Sequence, residues 1–169
     1  MTTLPVEPLE PNTFAPFGAV LDRPRRDADA RGPGWSWWGE NELLTPCGRG
    51  YGIGFLDLEP AAPEFDWAER HMASQELIAP LAGTCLVYVG PAAPPDRPDP
   101  DGFRVFRVDP GRAVILAPGV WHGAPLAVGG PARAIVLLKS GTGRDDTSVA
   151  RFEEGPVKIR LGGDAHADR

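Results

Sequence analysis

The sequence predicts an all-β protein, built as a sandwich or barrel, and three observations carry that prediction. Glycine (21) and proline (20) make up about a quarter of the 169 residues, yet they punctuate short apolar runs instead of clustering. The runs they bound are rich in β-branched and aromatic residues. Helical periodicity is nearly absent, and many short strands without connecting helices bury their apolar faces only against one another.

Taken in order, Pro11–Phe17 reads as one short helical turn capped by Asn12. Arg23–Gly34, charged and mixed in sign, reads as a surface loop. Trp35, Trp37 and Trp38 follow, the first two on one strand face and the third on the other. They suit core packing, a dimer interface or a ligand-stacking wall. Gly48–Gly54 is glycine-rich, but no helix follows to aim amide groups at a phosphate, so it is a turn and the start of a strand. Strands are expected over Tyr51–Leu58, Glu76–Ile78, Thr84–Val89, Phe103–Val108, Arg112–Ala117 and Ala132–Lys139. A phase slip in the alternation of Phe103–Val108 predicts a bulge there. Gly90–Gly102 holds five prolines and cannot be a central strand. Arg144–Phe152 is expected to form a second short helix. One domain is expected over residues 1–161, with the polar segment 162–169 as a flexible tail.

Composition excludes several functions. Seventeen basic residues against 23 acidic ones leave a net charge of -6 and no basic stripe for nucleic acid. The longest apolar runs, Ala113–Ala117 and Ala134–Leu138, are far short of the ~18 residues of a membrane span. The opening Met-Thr-Thr-Leu-Pro shows no secretory pattern, which predicts a soluble cytoplasmic protein. Cys47 and Cys85 make no disulfide framework or metal spacing. No serine or cysteine stands beside a histidine as a nucleophile would.

The three histidines carry the chemical signal. His166 belongs to the polar tail, whereas His71 and His122 each sit where one predicted strand gives way to the next. Alternation puts Glu69 and His71 on one face and turns Arg70 away, as a structural residue. A turn at Met72–Ser74 brings Glu76, at the head of the next strand, alongside His71. Two imidazoles and two carboxylates that converge suit a divalent transition metal with open positions. The competing reading makes each histidine a hydrogen-bonded structural residue, with Glu69 and Glu76 paired to Arg70 or Arg112.

Glu69-x-His71-x4-Glu76-x6-Gly83 resembles the first cupin motif, with Glu69 where its first histidine would stand. Gly111 to His122, with Pro118 and Gly119, resembles the second, with Leu126 in place of the expected asparagine. The resemblance implies a cupin fold, a double-stranded β-helix or jelly-roll barrel with few short helices. It extends to the ureidoglycolate lyase family of cupins. Leu4–Leu9, Phe14–Val20, the Glu69-Arg70-His71 block with Pro80 and Gly83, and Val120-Trp121-His122 with Pro125-Leu126 are similar to that family's segments.

Three departures mark this chain as a divergent member. Glu76 stands where the family usually has glutamine; Ala117 and Gly123 stand where it has histidines that could act on substrate. A family arginine after the Tyr51–Leu58 strand is replaced by Leu56-Asp57-Leu58-Glu59. What the resemblance implies is cleavage of ureidoglycolate, or a related small α-hydroxy acid, to glyoxylate and urea, in the catabolism of allantoin and purines. It implies a metal (nickel, manganese, iron or zinc) on Glu69, His71, Glu76 and His122, with Glu69 or Glu76 as the catalytic acid-base group. Gln75, Lys139 and Trp121 are the expected contacts to a small carboxylate substrate, and a homodimer is implied. The alternative is a non-catalytic or differently reactive cupin that binds a small acid or sugar.

Overall fold

The computed structural model describes residues 2–22, 26–32, 35–37, 44, 48–92 and 97–161. Fourteen strands, two one-turn α-helices and a 3-10 turn at Pro100–Gly102 are described. They are β1 (Thr3–Glu7), α1 (Pro11–Phe14), β2 (Gly18–Leu21), β3 (Ala30–Gly32), β4 (Trp35–Trp37), β5 (Tyr51–Leu58), β6 (Glu64–Phe65), β7 (Trp67–Arg70) and β8 (Glu76–Gly90). β9 (Arg104–Val108), β10 (Ala113–Leu116), β11 (Trp121–His122), β12 (Leu126–Lys139), α2 (Thr142–Asp145), β13 (Ser148–Arg151) and β14 (Val157–Arg160) complete the order. None of the described helices is long and apolar enough to cross a membrane.

β8 organises the barrel because it serves two sheets. Its first half pairs with β10 and with the C-terminal half of β12, which in turn pairs with β5. Its second half pairs with β9 and β11. Gly83 divides the halves at φ +69°, where an added Cβ would lie 2.4 Å from the Pro131 carbonyl oxygen. Only glycine fits this left-handed bend, because any side chain meets backbone that cannot rotate away.

Two apolar clusters fill the structure. One lies between the sheets and joins Ile78, Val114 and Val136 to Val87, Val89 and Phe106. The other covers the far face of the second sheet, where Phe65, Tyr88, Phe103, Val105 and Phe152 pack with Val157 and Ile159 of β14. Phe65 and Tyr88 stack with centroids 3.9 Å apart.

Several local expectations are corrected. Phe103–Val108 has no bulge: β9 pairs with β8 in continuous register, and its alternation looks broken because both faces are buried, Val105 in one cluster and Phe106 in the other. The register shifts lie in β12, between Val128 and Ala134. Asn12 caps nothing; Glu10 is the N-cap of α1, without a side-chain hydrogen bond. Residues 144–152 are not a helix, because α2 ends at Asp145 and Ser148–Arg151 pairs with β7 as a strand. Ala30–Gly32 forms a short strand with β4 inside the expected loop. The side chains of Trp35, Trp37 and Trp38, and the whole of 162–169, lie outside the described residues.

Candidate metal centre

β7 and β11 lie side by side, and their register places Glu69 directly opposite His122. Directly opposed residues point to the same face. His71 follows β7 by one residue, and the turn over 72–75 returns the chain to Glu76 at the head of β8. That turn is pinned from outside. The Met72 and Ala73 N–H groups donate to the two carboxylate oxygens of Asp146 at 2.9 and 2.8 Å. The Gly119 N–H donates to the His71 carbonyl at 2.7 Å, which ties the segment before His122 to the one around His71.

The result is a buried cluster. His71 and His122 are 5% and 2% exposed, and Glu76 is 8% exposed. Glu76 Oε2 sits 3.2 Å from His71 Nε2 and 3.1 Å from His122 Nε2. Glu69, His71 and His122 each offer a donor atom within 4.8 Å of one another. The far ring nitrogens decide the chemistry. His71 Nδ1 lies 2.9 Å from the Asp146 carbonyl, and His122 Nδ1 lies 2.9 Å from the Val120 carbonyl. A carbonyl oxygen only accepts, so each Nδ1 carries the proton, and a neutral ring then turns its Nε2 lone pair inward. Two such lone pairs facing one carboxylate oxygen repel one another unless a cation stands among them. Protons serve that role, and so does a divalent metal, whose imidazole ligands characteristically donate their other N–H to a carbonyl. The donor set therefore fits a transition metal with mixed nitrogen and oxygen preference.

The electrostatics agree. Burial pushes the Glu76 carboxyl up, but hydrogen bonds and charge from His122 and His71 outweigh it and hold the group at about 2. Burial lowers His71, yet the Glu76 hydrogen bond, the Asp146 carbonyl and the charges of Glu76 and Glu69 raise it above its ordinary value. Glu76 and His71 thus each stabilise the charged form of the other.

The cluster opens into a cavity of about 500 Å³. Glu69, His71 and Glu76 line its floor, and Lys139, Ser140 and Thr142 line one side. Of the three expected substrate contacts, Lys139 alone is among the described lining residues. Gln75 is half-buried beside the site. Trp121, expected to touch substrate, is 2% exposed in the second core cluster, with the Arg70 guanidinium 4.5 Å from its ring centroid. It sits beside a cavity ligand in sequence but on the opposite sheet face in space, and Arg70 is structural there.

The two missing histidines are also placed. A Cβ at position 123 would lie 1.7 Å from the Tyr88 hydroxyl, so that position faces the second core cluster, where Tyr88 donates to the Trp67 carbonyl at 3.3 Å. Ala117 packs against the first cluster. Neither is among the described residues lining the cavity. Asp57, in the region of the missing arginine, pairs across the strands with Arg133. Sequence reasoning passed over Asp146, whose single signal was its place in an Asp-Asp-Thr run of the kind that caps turns.

A jelly-roll barrel with two imidazoles and a glutamate converging at one end of its cavity defines a cupin. The structure resembles a dTDP sugar isomerase from Desulfovibrio desulfuricans, with a TM-score of 0.50 at 21% identity, covering 82% of this chain and 87% of that one. The family model for ureidoglycolate lyase matches residues 53–160, and the chain belongs to that family. A ureidoglycolate lyase of Rhodobacter capsulatus is 28% identical over 183 residues, covering 95% of this chain and 98% of that protein. Another, of Azotobacter vinelandii, is 30% identical over 149 residues, covering 85% and 89%.

Proposed function

We propose that this protein is a metal-assisted lyase that cleaves ureidoglycolate, or a closely related small 2-hydroxy acid, to glyoxylate and urea. The observation that carries the proposal is the convergence of His71 Nε2 and His122 Nε2 on Glu76 Oε2 at the floor of a cavity, in a chain whose curated relatives are named ureidoglycolate lyases. His71, His122 and Glu76 would hold the ion. A bound divalent transition metal would supply Lewis acidity that lowers the pKa of a coordinated hydroxyl.

The protein's own groups handle the proton. Glu76, held ionised at about 2 and locked between two rings, is a poor base. Glu69, half-buried on the cavity floor, is free of that lock, and we assign it as the base. Its carboxylate takes the hydroxyl proton, the carbon–oxygen double bond forms, and the carbon–nitrogen bond breaks. The same carboxyl then returns the proton to the departing urea nitrogen, so no further acid is consumed. Lys139 at the cavity side would pair with the substrate carboxylate. The test is Glu69→Gln: elemental analysis should show the wild-type metal content, while glyoxylate release falls about 10²–10⁴-fold, the usual contribution of a positioned base. Loss of metal together with activity would make Glu69 a ligand instead.

We also propose a cytoplasmic homodimer. Its interface would be the outer face of the sheet carrying β5, β12 and β8. There Ile53, Leu137 and Leu77 form one cross-strand row, and Phe55 and Ile135 the next. Ile53 and Phe55 are both 68% exposed, and an apolar face of this kind is characteristic of a subunit interface. Light scattering should give twice the chain mass for the wild type and the single mass for Ile53→Asp/Phe55→Asp; a monomeric wild type would exclude the dimer.

A further inference from the structure

We propose that Asp146 is a positioning residue of the metal centre: it aims the His71 lone pair inward and so sets the affinity for the ion, without being a ligand itself. The inference rests on the metal reading above and on no assumption about the substrate.

His71 needs a distant partner where His122 needs none. His122 belongs to β11, where pairing with Glu69 and Val89 fixes its backbone. Its Nδ1–H reaches the carbonyl of Val120, two residues back in the chain. His71 lies just past the end of β7, in a segment over 71–75 that belongs to neither strand nor helix. No ladder holds its backbone, and the acceptor for its Nδ1–H is the carbonyl of Asp146, 75 positions later.

Asp146 grips three consecutive residues of that segment. Its carbonyl accepts from His71 Nδ1 at 2.9 Å, and its two carboxylate oxygens accept from the Met72 and Ala73 N–H groups at 2.9 and 2.8 Å. Met72 and Ala73 are exposed, so water would satisfy these amides but would not hold them in place. A carboxylate bridging two adjacent amides is charge-assisted and restricts their geometry. The amides fix the path of the backbone after His71, and the carbonyl fixes the rotation of the ring. Together they direct Nε2 at Glu76 Oε2, 3.2 Å away. A partner of this kind on the outer nitrogen of a metal-binding imidazole both selects the tautomer and orients the ring.

Asp146 is itself held from both sides. Its N–H donates to the Thr142 carbonyl at 2.9 Å, at the end of α2. The Thr147 hydroxyl donates to the same carbonyl at 3.0 Å. Beyond it β13 pairs with β7, Ser148 opposite Arg70, so the strand that leads into the ligand lies beside the strand that leads out of its clamp. The turn is tied a second time, where the Lys139 N–H donates to the buried Ser74 hydroxyl at 2.8 Å. That bond involves neither His71 nor the two amides, and it allows a loosened turn to be told from a misaimed ring.

The test compares Asp146→Ala with Ser74→Ala on the full chain freed of metal, with zinc ion as the probe in competition with a chromophoric chelator. Asp146→Ala should bind zinc about 10–100-fold more weakly than the wild type, and Ser74→Ala within about threefold of it. Melting temperatures show what each change costs the fold. In the zinc-loaded wild type, the Nδ1–H groups of His71 and His122 should both give proton resonances protected from exchange with water. Asp146→Ala should lose the first and keep the second, whereas Ser74→Ala should keep both. Asp146→Asn retains one acceptor oxygen and replaces the alanine variant should that not fold, with a loss of at least about threefold expected. Wild-type zinc affinity in the Asp146 variant that folds overturns the inference. An equal loss in Ser74→Ala also overturns it, as does a protected His71 Nδ1–H that persists in Asp146→Ala. A wild type that takes up no zinc overturns the metal reading and this inference together. The readout is zinc and not turnover, so failure of the ureidoglycolate assay mimics none of these results.

Discussion

His122→Ala is expected to strip the metal and to lower glyoxylate release by about 10³-fold or more, on the scale of lost transition-state charge stabilisation. That factor corresponds to roughly 4 kcal/mol of barrier. His122 supplies one of the two inward lone pairs and is the partner nearest to Glu76 Oε2, at 3.1 Å. Its removal leaves a buried carboxylate with one imidazole in place of two. The stability profile should change with a defined sign. In the wild type, a Glu76 carboxyl held near 2 against an ordinary 4.5 contributes stability above the ordinary value. That contribution is lost as pH falls from 4.5 towards 2. In His122→Ala the depression shrinks, so metal-free protein should be less stable near neutrality and should lose less on acidification. Melting temperatures of the metal-free proteins at pH 7 and pH 3, with metal content by elemental analysis, check both parts. A folded variant with full metal and full turnover would remove His122 from the site.

Gly83→Ala is expected to be strongly destabilising, although Gly83 touches no ligand. At φ +69° an alanine carries a left-handed penalty of about 1–2 kcal/mol. Its Cβ would also lie 2.4 Å from the Pro131 carbonyl oxygen and 2.8 Å from the Ala132 Cα. Both obstacles are backbone, so relief requires the β8–β12 pairing to shift. A total of about 3 kcal/mol or more follows, and a domain of this size should lose roughly 6–12 °C in melting temperature. The functional consequence is geometric. Glu76 lies before the bend, and Val89, which opposes His122, lies after it. Moving the bend therefore moves Glu76 relative to His122, and metal affinity should fall with stability. Thermal melts and metal titration of Gly83→Ala measure both; an unchanged melting temperature would show that the bend tolerates a side chain.

Glu76 gives this chain a charge that a glutamine at the same position would not. An amide can donate to one inward imidazole, whereas a carboxylate only accepts and depends on a cation between itself and both rings. The departure thus strengthens the demand for a positive centre. The departures at 117 and 123 are filled by core packing and leave the floor of the cavity as it is.

The sequence by itself determined the all-β class, the punctuation between strands and the four residues of the candidate site. These properties are written in local patterns: β-branched runs bounded by glycine and proline, and charged or imidazole groups at fixed spacings around strand ends. Alternation was enough to put Glu69 and His71 on one face, and the bent strand explains why Gly83 follows Glu76 at its spacing. Local pattern misled where both faces of a strand are buried, as in β9, because a doubly packed strand loses the period of two and imitates a bulge. It also misled at residues 144–152, where pairing with β7 overrides a weak helical preference. Only the tertiary structure decided that Trp121 faces the second core cluster, that Asp146 holds the turn carrying His71, and that the Asp146 carbonyl turns the His71 Nε2 inward. Each depends on which strand lies beside which. That is a property of contacts between residues 46 to 75 positions apart, which no local spacing encodes.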